Sequence, residues 1–219
     1  MYNNDVKITG TDGFRSGTDR FCSGTKHLCS GADLSHIIAV SNRHLCERPY
    51  LKQVARICSQ HPEAFILREK DLPEEEYLLL ADQVMELCRQ YEVPCIIHNF
   101  LSVARRLGSS SIHLPLPVLR EHPDAADEFR CVGTSVHSLS DALEAEKLGV
   151  SYITAGHIYA TDCKKGLPPR GLSFLQDVCS HVTIPVYAIG GIHLGTPQIT
   201  EVMDCGAAGA CIMSQMMRI

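Results

Sequence analysis

No apolar stretch in this chain reaches the ~18 residues that a membrane-spanning helix needs. The opening residues, MYNNDVKITGTDGFRSGTDRFCSG, hold no apolar core of the kind a secretory signal carries. Excess positive charge is also missing. Twenty lysines and arginines face 25 aspartates and glutamates, for a formal net charge of -5. That argues against a general binder of nucleic-acid backbones. The pairs Arg105-Arg106 and Lys164-Lys165 are too short for a polyanion footprint, although one or two lysines suffice for a small anion. Eleven cysteines are present, yet no two have CxxC spacing. Their odd number and scatter speak against a disulfide framework, and the missing pairs speak against structural zinc. Cys58, Cys88, Cys95, Cys131 and Cys211 sit within apolar segments, as small buried hydrophobes do in a reducing cytosol. A cytoplasmic protein with no membrane or nucleic-acid partner is the expectation.

Residues 1–32 are rich in Gly, Ser, Thr, Asn and Asp, and are expected to be a poorly ordered, flexible N-terminal extension. Residues 33–219 are expected to form a single domain. There the pattern alternates between short apolar runs and segments with helical spacing. The runs HIIAVSN, AFILR, VPCIIH, SIHL, RCVGTSVH, SYITAG, IPVYAIGG and AGACIMS read as eight strands. Several are continuously apolar, as parallel strands buried on both faces must be. Seven helices separate them. The clearest, LPEEEYLLLADQVMELCRQY, repeats Tyr77, Leu80, Ala81, Val84, Leu87 and Cys88 at i, i+3, i+4, i+7 spacing, with acids in its first turn. Another, SLSDALEAEKLG, places Ser138 and Asp141 as a capping box. Eight strands alternating with helices select a (β/α)8 TIM barrel over an open sheet. After Ser214 only QMMRI remains, so an eighth helix is nearly absent. The seam is then open, or covered by a partner chain or by the extension.

In such barrels the chemistry lies on the loops that follow the strands. Strand 2 delivers Arg68 and Lys70 there, strand 3 His98 and Asn99, and strand 4 His113. Strand 5 delivers Thr134, Ser135 and His137, and strand 6 delivers His157 with the loop from Thr161 to Lys165. Gly190 and Gly191 follow strand 7, and Met213 and Ser214 follow strand 8. These last two loops together suit a backbone cradle for one phosphate, although a glycine pair alone could mark only a tight turn. His137 lies where strand 5 meets a capped helix, and the positive helix end favours neutral imidazole suited to general acid–base work. His157 reads as a support for its loop. Cys163, flanked by lysine, lacks an identifiable base partner, which argues against a nucleophilic role.

The runs LREKDL, PCIIHN, SIHL, VGTSVHS, AGHIYATDCKKG, GLSFL, IPVYAIGGI and GAAGACIMS together resemble the thiamine phosphate synthase/TenI superfamily. The resemblance covers about residues 36–216 and implies a barrel that binds a thiazole ethyl phosphate. Synthases of this family carry an Asn-Asp pair after strand 3 and an acid soon after strand 4, which hold Mg²⁺ and the pyrophosphate of a pyrimidine substrate. Here the first position reads His98-Asn99, and Pro115, Leu116, Pro117 and Val118 follow His113-Leu114. A polar pyrimidine contact of the synthases is Ile66. The motif SVHS and the long run GH…TDCKKG, from Gly156 to Gly166, resemble the TenI branch instead.

That branch implies a thiazole tautomerase, an isomerase of thiamine biosynthesis that aromatises a thiazole carboxylate ethyl phosphate by proton transfer. Such a reaction needs no metal and no cofactor. The resemblance places the proton chemistry on His137 and the phosphate on Gly190, Gly191, Met213 and Ser214. Arg68, Lys70, Asn99, Ser135, Thr161, Lys164 and Lys165 become other substrate contacts, the basic groups as holders of the carboxylate. The expected partner is a small phosphorylated thiazole, and the family suggests a homodimer. The alternatives are a transferase, thiamine phosphate synthase itself, or a non-catalytic regulatory protein binding thiazole or thiamine phosphate.

Overall fold

The computed structural model describes residues 33–219, so the expectation for residues 1–32 lies outside the described residues. Eight parallel strands close into a barrel in sequence order. They are β1 (Ile37–Val40), β2 (Ala64–Leu67), β3 (Cys95–His98), β4 (Ser111–Pro115), β5 (Cys131–Val136), β6 (Tyr152–Gly156), β7 (Val186–Ile189) and β8 (Gly209–Ile212). The helices are α1 (Tyr50–Cys58), α2 (Glu74–Gln90), α3 (Leu101–Arg106), α4 (Leu116–Glu121), α5 (Ala125–Glu128), α6 (Leu139–Lys147), α7 (Gly171–His181) and α8 (Gln198–Asp204). The segment between β4 and β5, expected as one helix with a turn, is divided into α4 and α5. No helix among the described residues is long and apolar enough to cross a membrane.

Strand alternation builds two cores. Phe65, Leu67, Ile97, Ile112, Val132, Ile153 and Ala188 face the helices. Ile38, Val40, Ala64, Ile66, Ile96, Cys131, Tyr152, Tyr187 and Cys211 fill the barrel itself. One local fit sets the height of the polar layer above them. Gly133 pairs with Tyr152 in the β5–β6 register. A Cβ on Gly133 would lie 2.1 Å from the Tyr152 ring, so the ring occupies the space of the missing side chain. Tyr77 of α2 pins the sheet from outside. Its hydroxyl donates to the Leu67 carbonyl (2.6 Å) and accepts from the His98 N–H (3.1 Å), tying the ends of β2 and β3 together.

The seam is closed. β8 pairs with β1 through Ile37–Ala210, Ile38–Cys211 and Ala39–Ile212. The residues after β8 form a turn that buries Met216 and Met217 completely. The Gln53 amide of α1 donates to the Met216 carbonyl at 2.7 Å, and Arg48 donates to the Ile219 carbonyl. One turn with two buried methionines and one buried glutamine thus does the covering expected of a helix after β8.

Candidate active site

The barrel mouth, where the strands' C-terminal ends meet, collects most of the expected residues. His137 follows β5 at the entrance to α6. Ser138 caps that helix by accepting from the Asp141 N–H, and the Asp141 carboxylate accepts from the His137 N–H, both at 3.0 Å. The expected capping pair is present, and it fixes the backbone of His137. The ring is fixed by β6, whose Gly156 carbonyl lies 2.8 Å from Nδ1. A carbonyl can only accept, so Nδ1 carries a proton, and in the neutral ring the lone pair lies on Nε2. His137 is exposed and lies just past the C-terminal end of β5.

Beneath it runs a buried polar layer. His113 is stacked on His98 with ring centroids 5.7 Å apart. His113 Nδ1 lies 3.0 Å from the Tyr152 hydroxyl, and Nε2 lies 2.9 Å from Ser135 Oγ. Thr154 Oγ1 donates to Ser135 Oγ at 2.9 Å. Burial, above all, holds both imidazoles neutral. His98 is pushed down to about 2 and His113 to about 3, with the charges of Lys70 and Arg68 acting in the same direction.

The cations form the other wall. Burial, Arg68 and Lys164 together lower the Lys70 pKa. Lys70, Arg68 and Lys164 therefore share one field, which an incoming anion would relieve. Lys165 stands apart, since its nearest charge partner is Asp162 at 3.6 Å. Thr161 accepts from the Cys163 N–H and so caps the 3-10 turn Asp162–Lys164. Asn99 sits in the left-handed region, with φ of 72°, and its N–H donates to the His113 carbonyl at 3.0 Å. Cys163 is exposed in the loop. The His157 carbonyl accepts from the Arg170 N–H at 2.9 Å, tying the two ends of the loop after β6.

The sequence reading missed the support under the basic pair. Glu69, between Arg68 and Lys70, is buried on the opposite side of the chain. It accepts from Ser41 Oγ (2.7 Å) and from the Arg43 N–H (3.0 Å), while Ser41 Oγ accepts from the Arg68 N–H (2.8 Å). Arg43 also grips Asp71, which Arg43 and His44 hold well below the usual carboxylate range. The motif LREK contained the signal, since strand alternation turns its acid away from its two bases.

Gly190 and Gly191 have a packing reason of their own. A Cβ on Gly190 would lie 2.4 Å from His157 Cβ, and one on Gly191 would lie 2.4 Å from the Ala160 carbonyl oxygen. Both have positive φ, 101° and 70°. The loop after β6 thus presses against the loop after β7. The N–H groups of Gly191 and Ser214 donate to no group among the described residues, which leaves them available to an oxyanion.

The ends of β3 and β4 offer Mg²⁺ no carboxylate. The ends of β3 and β4 present His98, Asn99, His113 and Pro115, and no cluster of three or more His, Cys, Asp or Glu able to hold a metal occurs among the described residues. Glu69 and Asp71 are occupied by Ser41, Arg43 and His44. Mg²⁺ favours carboxylate oxygens, which these strand ends lack, while the cations Arg68, Lys70 and Lys164 suit an anionic group.

Comparison with known proteins fits the barrel and its motifs. Residues 37–216 match the family described as thiamine monophosphate synthase, TMP-TENI. A protein of Streptococcus pneumoniae named thiamine-phosphate synthase 2 is 33% identical over 174 residues, covering 77% of this chain and 80% of that protein. A thiamine-phosphate synthase of Chlorobium phaeovibrioides is 35% identical over 160 residues, covering 69% of this chain and 73% of its own length. A solved thiamine phosphate pyrophosphorylase from Pyrococcus furiosus superposes with a TM-score of 0.71 at 28% identity, covering 84% of this chain and 90% of that one. Two of these relatives are named thiamine-phosphate synthase and the third thiamine phosphate pyrophosphorylase, and none of the three is named as a tautomerase. The chain belongs to the thiamine monophosphate synthase/TenI family.

Proposed function

We propose that this protein is an isomerase of thiamine biosynthesis, a thiazole tautomerase that aromatises a thiazole carboxylate ethyl phosphate. The observation that carries this reading is the state of His137. Its Nδ1 donates to the Gly156 carbonyl, which leaves Nε2 as the ring nitrogen able to serve as a base. Nε2 takes the proton from the ring carbon that bears the carboxylate. The electrons move through the ring, and the same imidazolium returns a proton to the exocyclic carbon. No leaving group departs. Lys70, Arg68 and Lys164 hold the carboxylate, and the N–H groups of Gly190, Gly191, Met213 and Ser214 cradle the phosphate. Asn99, Ser135 and Thr161 line the space between, and Lys165 acts at the rim. The ligand is a small phosphorylated thiazole, bound without a cofactor.

The names of the relatives favour a second reading, that the chain is a thiamine phosphate synthase. That transferase must bind the pyrophosphate of a second substrate, and the acid-free ends of β3 and β4 argue against it. A purely regulatory binder would hold the same ligand without turning it over. His137→Asn tests the mechanism of the first reading. We expect it to bind the thiazole phosphate with near-normal affinity in calorimetry and to lose aromatisation by several orders of magnitude. Full activity in that variant would remove His137 from the mechanism.

A further inference from the structure

We infer that His113 is a positioning residue that holds the Ser135 hydroxyl as a hydrogen-bond donor to the anion in the barrel mouth, with Tyr152 setting its tautomer. The ligand's identity rests on the reading above, whereas the proton order inside the barrel does not. Two proton orders satisfy the distances of 3.0 Å from Tyr152 to Nδ1 and 2.9 Å from Nε2 to Ser135. In one, Ser135 donates to Nε2 and Nδ1–H donates to the phenol, so that Ser135 shows a ligand only lone pairs. In the other, Tyr152 donates to Nδ1 and Nε2–H donates to Ser135. Ser135 oxygen then accepts from both His113 and Thr154, and its own proton is left for the ligand.

Chemistry selects the second order. A phenol is a better donor than acceptor. The imidazole nitrogen beside it is a strong acceptor. The groups facing His113 are Arg68 and Lys70 from the end of β2, His98 from β3 and Tyr152 from β6. The cations call for an anionic ligand, and an anion needs a donor where a bare lone pair would repel it. Imidazolium is disfavoured by complete burial and by those cations, so the neutral ring persists through the physiological range.

Two measurements test this. The first needs no ligand: long-range proton–nitrogen NMR of His113 in the wild-type protein. We expect a ring protonated at Nε2 and unchanged between about pH 5 and pH 8. An Nδ1–H tautomer, or a titration in that range, overturns the inference. The second is calorimetry with the carboxylated thiazole ethyl phosphate, with no turnover measured. Tyr152→Phe keeps the ring and removes the donor, and Ser135→Ala removes the hydroxyl. Each should weaken binding about tenfold, with the double variant no weaker than Ser135→Ala alone. Additive losses, or no loss in either variant, overturn it. In a separate assay, wild-type binding of the unaromatised thiazole carboxylate phosphate without turnover would instead refute the tautomerase and leave His113 in its positioning part. Should Tyr152→Phe fail to fold, the wild-type spectrum still decides.

Discussion

Lys164 and Lys165 are neighbours in sequence, yet only Lys164 shares its field with Lys70. Lys165 faces Asp162 with its side chain in solvent. Lys164→Ala should therefore cost about 1.5–3 kcal/mol of ligand binding, the range for a hydrogen bond to a charged group, and Lys165→Ala should stay within about 0.5 kcal/mol. Calorimetry of the two variants checks this, and equal losses would contradict it. Lys70 carries a pH prediction. Its pKa is lowered by burial and by two neighbouring cations, so its charge is lost below the alkaline range usual for lysine. A bound anion favours the charged form, so binding should take up protons and weaken as pH rises through that lowered pKa. Affinity that stays level until the ordinary lysine range would contradict the assignment. His137 was legible in the sequence because its strand position and helix cap are local. Its tautomer was not, because the deciding carbonyl lies 19 residues away on β6.

The elements carry the site by fitting to one another. β5 gives up a side chain at Gly133 so that Tyr152 of β6 can lie across it and reach His113. Gly133→Ala should therefore cost about 1–3 kcal/mol, read as a lowered melting temperature, and should displace the Tyr152–His113 contact. A variant as stable as wild type would show that the ring has room to move. The alternation of short apolar runs with helical spacing revealed every strand. The division into α4 and α5, and the closure of the seam by Met216 and Met217, were not legible. Both are decided by packing against distant residues, such as Gln53 and Arg48 at the seam. Glu69 is a similar case: its motif was visible, but its partners come from the chain beyond β1.

Across the whole molecule, a barrel that keeps two buried imidazoles neutral must become less stable in acid. Unfolded histidine protonates near pH 6.5, whereas folded His98 and His113 resist until about 2 and about 3. Below about pH 6.5 the unfolded state binds protons that the folded state refuses. Stability is therefore full above that pH and falls as pH drops, by up to ~1.4 kcal/mol per pH unit for each ring. Denaturant unfolding between pH 6.5 and about pH 5, above the usual carboxylate range, should show this slope, and His98→Asn should make it shallower. A level profile would contradict the burial argument. At this scale the fold was written plainly in the count of strands, and the family in the motifs at their ends. The proposed branch of chemistry rests on a few residues after β3, β4 and β5, whereas the relatives' names favour the synthase. The deciding measurement is a pair of assays on the same preparation. One supplies the unaromatised thiazole carboxylate phosphate alone. The other supplies thiazole phosphate, the pyrimidine pyrophosphate and Mg²⁺. We expect rapid aromatisation in the first and no thiamine phosphate in the second; thiamine phosphate formed in the second, with no aromatisation in the first, would contradict the account.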